Sequence, residues 1–372
     1  MKDFYWYWLC NIPGIGTMKR KHLLEWFHVP ENIYKADYKE LKQCNTLTDA
    51  NIEALVAARE NKEIYKSFVQ LKEKNVCFFH IGSQEYPESL YQLYDYPIGL
   101  YGKGSFPKAE EPVVAVVGAR SCSEYGKTLA WKFSEVFAQM GICVVSGMAR
   151  GIDTAAHQGC LAGGGRTYAV LGCGVDICYP RENIELYMEI QKHGGVMSEY
   201  ALGTPPAAGQ FPVRNRIISG IADAVIVVEA RKRSGSFITV DQALEQNKDV
   251  FVMPGRIGDA LSEGCNHLMK QGAQIMTEPE DILQSSAIMR KISARKTVKK
   301  YFSNEKSQKN GLATEKDMVY SCLNLYPKSL DIIIEETGLD IAVVNRSILD
   351  MQLEGLVKEI SKNCYVRNDL WI

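Results

Sequence analysis

The sequence predicts an α/β fold built on a doubly wound parallel sheet for its central half, and three observations carry the prediction. Short apolar runs recur at 113–117, 142–146, 168–171, 196–199, 224–229, 250–253 and 274–276. Most are continuously apolar, as parallel strands covered on both faces must be. Each is followed by a polar or glycine-rich loop and then by an amphipathic stretch, which is the order of repeated strand-turn-helix units. The first such stretch repeats Leu129, Phe133, Val136, Phe137 and Met140 at helical spacing, and Gly141 ends it.

The flanks read differently. Residues 1–80 predict a small helical domain, with helices near 4–10, 18–26, 38–41, 48–58 and 63–74. Between the first two, Ile12-Pro13-Gly14-Ile15-Gly16 has the form of the hairpin in a helix-hairpin-helix unit. Glycines there let backbone N–H groups approach a DNA phosphate, and Lys19, Arg20 and Lys21 follow. A plain helical turn in an interaction module accounts for the same residues. Residues 81–110, rich in Tyr, Pro and Gly, read as an irregular connection. The α/β domain then spans 111–285 and a basic linker 286–312. Residues 313–372 give helix, helix, the turn Thr337-Gly338-Leu339-Asp340, a third helix over 341–353, and two short strands near 356–360 and 364–367. That is the winged-helix order. Its last helix, often the DNA reader, carries Arg346 beside Asp350 and Glu354, so a protein contact explains it at least as well.

Composition bounds the function. With 46% hydrophobic and 23% charged residues the 372-residue chain is ordinary for a soluble globular protein. The net charge of −1 argues neither for nor against nucleic acid. Residues 111–281 hold 15 basic and 19 acidic residues, so an anion site there must be a local patch. Residues 289–310 hold 8 basic and 1 acidic, a solvated linker or an electrostatic arm. The 11 cysteines are scattered without a Cys-x-x-Cys pair, which predicts reduced thiols rather than disulfides or zinc. The apolar run 4–9 lacks the flanks of a signal peptide, and nothing approaches the ~20 residues of a membrane span. The expected compartment is the cytoplasm.

Ligands of doubly wound sheets sit outside the carboxyl ends of the strands. Here those ends carry Gly118-Ala119-Arg120-Ser121, then Ser146-Gly147-Met148-Ala149-Arg150-Gly151-Ile152-Asp153, then Gly172-Cys173-Gly174-Val175-Asp176, Ser198-Glu199, and Arg231-Lys232-Arg233-Ser234-Gly235-Ser236. Phe211-Pro212-Val213-Arg214-Asn215-Arg216 puts two guanidinium forks and an amide at the start of a helix, where unpaired N–H groups already favour an anion. One such loop is weak evidence; several converging on one edge favour phosphate. No Gly-x-x-x-x-Gly-Lys-Ser/Thr and no Gly-x-Gly-x-x-Gly occurs, so neither a P-loop nor a dinucleotide cofactor is expected. Asp153 reads as a helix-start cap, His157 as a packed helix residue, and Glu229 as a partner for Arg231 or another arginine. No nucleophile–base pair stands out, and no catalytic residue is assigned.

In order, these segments resemble the DNA-processing protein A (DprA/Smf) family. The matching stretches are 117–120, 146–153 with His157, 169–176 with Tyr179-Pro180, Ser198-Glu199, 211–220, 228–230, 234–239, Pro254-Gly255 and 264–266. The resemblance implies an extended Rossmann-like domain between a helix-hairpin-helix (SAM-like) domain and a winged helix. It implies a single-stranded DNA-binding recombination mediator that protects incoming strands and helps load RecA, as in natural transformation. It implies a homodimer formed through the Rossmann-like domain, with no cofactor and no membrane association. By the same resemblance Gly118, Arg120, Arg214, Asn215 and Arg216 should contact phosphates, with Ser146, Gly147, Ser234, Gly235 and Ser236 as nearby donors.

The alternative is a nucleoside-monophosphate phosphoribohydrolase of similar architecture, whose Pro-Gly-Gly-x-Gly-Thr-x-x-Glu loop supplies a working glutamate. The comparable position here is Gln242, and an amide cannot serve as acid, base or charged stabiliser. A protein-interaction scaffold with a vestigial DNA site is the third reading.

Overall fold

The computed structural model describes residues 2–294, 315–324 and 327–367. Six helices open the chain: α1 (Lys2–Cys10), α2 (Thr17–Phe27), α3 (Pro30–Lys35), α4 (Tyr38–Gln43), α5 (Asp49–Glu60) and α6 (Lys62–Glu73). Two strands follow, β1 (Cys77–His80) and β2 (Gly99–Gly104). The alternating region is β3 (Val113–Val117), α7 (Glu124–Gln139), β4 (Cys143–Ser146), α8 (Ile152–Ala162), β5 (Thr167–Val170), α9 (Ile184–His193), β6 (Gly194–Ser198), α10 (Gln210–Ile221), β7 (Ala224–Val227), α11 (Ser236–Glu245), β8 (Asp249–Val252), α12 (Glu263–Lys270), β9 (Gln274–Ile275) and α13 (Ser286–Ala294). The last unit holds α14 (Glu315–Cys322), β10 (Lys328–Ser329), α15 (Leu330–Thr337), α16 (Ile341–Leu353), β11 (Val357–Ser361) and β12 (Cys364–Arg367). The expected linker falls mostly outside the described residues.

Nine strands form one sheet in the order β1-β2-β6-β5-β4-β3-β7-β8-β9. From β6 to β9 all neighbours are parallel. The chain winds outward from β3 through β4, β5 and β6, then returns to lay β7 on the other side of β3. The β3/β7 junction is therefore the switch point, where diverging loops leave a crevice. Strand pleating splits β3 between two cores. Val114 and Val116 meet Leu129, Phe133 and Phe137 of α7 and Ile152 and Ala156 of α8. Val113, Ala115 and Val117 meet Ile217 and Ile221 of α10 and Val240 and Ala243 of α11. Helices on both faces are what the unbroken apolar strands require.

Two differences from expectation matter. The stretch read as an irregular connection contains β2, and β1 lies just before it. These strands extend the sheet antiparallel from β6. Glycine at 99, 102 and 104 hides the strand pattern. It is needed at Gly104, where φ is 90° and an added Cβ would fall 2.4 Å from the Gly194 carbonyl oxygen. Short α3 also went unread in the sequence. The helical domain packs directly on this extension, Trp8, Leu9 and Ile12 sharing a core with Ile98, Tyr101 and Val175.

The hairpin after α1 turns its cations inward. Lys19 Nζ donates to Asn51 Oδ1 at 2.6 Å, and Lys21 Nζ donates to the Tyr94 carbonyl at 2.9 Å between the Tyr94 and Tyr96 rings. Arg20 is half-buried. All eleven thiols are unbridged, and among the described residues no group of side chains could hold a metal ion and no helix is long and apolar enough to cross a membrane.

Candidate nucleic-acid interface

A cleft of about 670 Å³ opens at the switch point, between the loops that leave β3, β4 and β7 and the first turns of α10 and α11. Arg120, Arg214, Arg231 and Arg233 line it, and Asp153 is the one acid among its lining residues. A region with an acidic surplus has thus concentrated four guanidinium groups in one crevice.

Arg214 organises the wall. It is 5% exposed, and its Nη1 donates to the carbonyl oxygens of Gly147 (2.9 Å) and Val170, at the ends of β4 and β5. Its Nε donates to Asn215 Oδ1 at 3.1 Å. Burial draws its pKa down to about 10, with the Asp153 charge opposing, so it stays cationic at neutral pH. The close approach demands glycine at 147, since a Cβ there would sit 2.6 Å from the guanidinium. Asp153 completes the clamp. Its Oδ2 accepts from the N–H groups of Gly147 and Ala149 at 3.1 and 3.3 Å, which folds the loop after β4 back on the start of α8. Burial raises its pKa, against the pull of Arg214 and those N–H groups. Met148, held between them, takes a left-handed φ of 56°, and its carbonyl accepts from Asn183 Nδ2 at 3.0 Å. Strained backbone of this kind collects at functional loops.

Arg120 is exposed at the rim, 5.2 Å from the centroid of the Phe211 ring. Phe211 is also 6.0 Å from Arg214 and stacks on Tyr179 at 5.7 Å and 24°. Tyr179 is itself 41% exposed. Opposite stand Arg231 and Arg233 with Ser234, Gly235 and Ser236; the two hydroxyls are 2.7 Å apart. Helices α10 and α11 begin at Gly209 and Gly235 with no capping side chain and no acid in the first turn. The dipoles of both helices therefore favour an external anion, although Gln210 N–H is spent on the Ala207 carbonyl at 3.0 Å, Pro212 has no N–H, and Ser236 and Phe237 N–H are spent on Ser234 at 3.3 and 3.1 Å.

Seven of the ten expected site residues line this cleft: Gly118, Arg120, Arg214, Asn215, Ser234, Gly235 and Ser236. Ser146, Gly147 and Arg216 do not. Ser146 is fully buried and donates to the Val116 carbonyl at 2.6 Å, so its hydroxyl is spent on the sheet. Gly147 N–H is spent on Asp153. Arg216, two residues beyond Arg214, points the other way. Its Nε donates to Asp95 Oδ2 at 2.9 Å and its Nη2 to Glu199 Oε2 at 2.6 Å. Glu199 Oε1 also accepts from Thr17 Oγ1 at 3.1 Å, so Arg216 ties α10 to the chain before β2 and to the start of α2.

The remaining acid and base candidates are structural. Among the described residues Glu229 meets no arginine, contrary to expectation. It accepts from Ser123 N–H at 2.8 Å and Ser123 Oγ at 2.5 Å, and Ser123 in turn caps α7. His157 is fully buried, with Nδ1 2.6 Å from Thr167 Oγ1. That hydroxyl already donates to the Val144 carbonyl, so Nδ1 carries the proton and Nε2 is left without a partner. Burial, with Arg214 nearby, lowers its pKa to about 3. Gln242 lies behind the wall, donating to the Pro212 carbonyl at 3.3 Å. The expected site residues leave out the Tyr179–Phe211 platform, and also Arg231 and Arg233, although the strand-end loop that holds those arginines is marked in the sequence. The available signal was aromatic residues interleaved with basic ones at the strand ends.

Sheet, switch-point crevice and arginine wall define an α/β protein with a cationic crevice and an appended winged helix. The family model described as DNA recombination-mediator protein A matches residues 77–287, and that of the DprA winged helix domain matches 304–361. The chain belongs to the DNA recombination-mediator protein A family, DprA/Smf. It is 45% identical over 205 residues to DNA processing protein DprA of Streptococcus pneumoniae, covering 55% of this chain and 72% of that one. It is 43% identical over 225 residues to protein Smf of Escherichia coli, covering 60% of each. The X-ray structure of the Streptococcus pneumoniae protein superposes with a TM-score of 0.66 at 35% identity, over 76% of this chain and 97% of that one. The Helicobacter pylori protein, described for its single-stranded DNA binding mode, gives 0.50 at 29% identity, over 56% and 94%.

Two outcomes follow from the buried network. Removing one member of a buried ion pair strands its partners, so Arg216→Ala should lower stability by about 3 kcal/mol in urea unfolding; a loss under about 1 kcal/mol would contradict the strut. His157 has a folded pKa below its ordinary 6.5, so the advantage of its neutral form is complete above pH 6.5 and is lost as pH falls toward 3. The native chain should therefore lose more stability than His157→Gln between pH 6.5 and 4, and parallel curves would place His157 elsewhere.

Proposed function

We propose that the switch-point cleft binds the sugar–phosphate backbone of single-stranded DNA, with Gly118, Arg120, Arg214, Asn215, Ser234, Gly235 and Ser236 as its phosphate contacts. The observation that carries this reading is four guanidinium groups and two helix starts free of first-turn acids around a crevice with a single, hydrogen-bonded carboxylate. Arg231 and Arg233 extend the same contact surface. Ser146, Gly147 and Arg216 serve it indirectly by holding the wall.

Single strands suit this site better than duplex. The Tyr179–Phe211 pair offers an aromatic face beside the phosphate donors, and only an unpaired base is free to stack on it. The Helicobacter pylori relative is described as binding single-stranded DNA, which supports the same assignment here. The family description, recombination mediator, supports a role in protecting incoming strands and helping load RecA, as in DNA uptake and natural transformation. We extend this to a cytoplasmic protein that acts as a homodimer through the Rossmann-like domain. A hydrolytic role finds no support in the cleft. Asp153 is committed to two backbone N–H groups, and an amide occupies the position where the phosphoribohydrolases carry their glutamate.

Binding of labelled single- and double-stranded oligonucleotides, followed over a range of salt, tests this reading. Arg120→Ala, at the exposed rim, should weaken single-strand binding about tenfold and equally across base sequences, since phosphates carry no sequence information. With about four phosphates neutralised, log affinity against log salt should slope near −3. A flat salt response, or an Arg120→Ala protein that binds as before at low salt, would remove the phosphate clamp.

A further inference from the structure

At the opposite, amino-terminal end of the sheet a second cavity of about 520 Å³ opens beside the starts of β3, β7 and β8. Its wall carries the cations Lys108, Lys248, Arg290 and Lys291 and the acids Glu88, Asp223 and Asp249. Asp223 is already satisfied. One oxygen accepts the Val113 N–H at 2.9 Å, and the other holds Lys291 Nζ at 2.8 Å. Lys291 donates as well to the Glu111 carbonyl at 3.0 Å, so this pair is neutral and closed.

Lys248 is placed differently. It is half-buried beside that closed pair and forms no ion pair among the described residues. Burial lowers its pKa; Asp223 opposes the shift and Lys291 adds to it. An ammonium group drawn out of water without a counter-ion is unfavourable until an anion joins it. Arg290, on the same wall, is exposed, and among the described residues only its Nε is held, by the Ser286 carbonyl at 3.2 Å. Helix α13 also starts here, at Ser286 and Ala287, with no acid in its first turn. Two available cations and a helix start thus meet in a polar cavity that can admit a group of mononucleotide size.

We propose that this cavity is a second phosphoryl-binding site, independent of the switch-point cleft, in which Lys248 and Arg290 hold the phosphate oxygens. The phosphoryl group can belong to a free nucleotide or to a polynucleotide backbone, and the test separates the two. The full chain is titrated calorimetrically with thymidine monophosphate and with oligothymidylate of about 30 nucleotides, a length that can reach beyond one cleft. Arg120→Ala is used as background to weaken the cleft. In that background, Lys248→Gln with Arg290→Gln should lower the remaining affinity about tenfold or more, and Lys248→Arg should keep it within about twofold. A loss confined to the oligonucleotide assigns the backbone as the source, and a loss with both ligands assigns the nucleotide as well. Unchanged affinity for both ligands in the double variant, with its melting temperature intact, overturns the proposal. Failure of the cleft reading is a separate result, because it shows in Arg120→Ala alone.

Discussion

A buried guanidinium holding two strand-end carbonyls is the interaction on which the cleft depends. Hydrogen-bonding Arg214 to Gly147 and Val170 fixes the loops after β4 and β5 relative to α10. A charge taken this far out of water is stable only with its donors engaged and a compensating charge nearby. The carbonyls supply the first condition and Asp153 the second. The same carboxylate draws in the N–H groups of Gly147 and Ala149, so one pair of side chains shapes the loop and starts the helix behind it. His157, one turn further along α8, stays neutral in the field of that arginine.

The arginines divide the work by depth. Arg214 is buried and builds the wall; Arg120, Arg231 and Arg233 are exposed on the cleft and free to meet a ligand. Arg216 faces away and joins α10 to Asp95, Glu199 and, through Glu199, Thr17. The helix that begins at the cleft is therefore braced against the amino-terminal helical domain. Three side chains, Arg216, Glu199 and Thr17, thus link the helix at the cleft to the helical domain.

Much of this was legible in the sequence, for identifiable reasons. The parallel strands announce themselves because both faces are covered, leaving unbroken apolar runs such as 113–117 and 224–227. The strand-end loops mark the cleft because topology sends ligands to that edge. Strand β2 was hidden, since three glycines break its apolar pattern, and β1 is only four residues long, at the end of a helical stretch. The arginines were harder. Arg214 and Arg216 are two residues apart on one helix and so point roughly 200° apart. No local rule says which one meets the cleft, because that depends on Glu199 and Asp95, brought in from other elements. Glu229 likewise found a serine cap on α7, 106 residues away, rather than an arginine.

Hydrogen exchange at backbone amides, with and without a saturating oligothymidylate, locates the strand on the protein. Protection on binding should concentrate at the loop after β3 and at the first turns of α10 and α11, near residues 118–121, 209–213 and 234–238. Protection confined to the hairpin after α1 or to the winged helix, with these three segments unchanged, would contradict that placement.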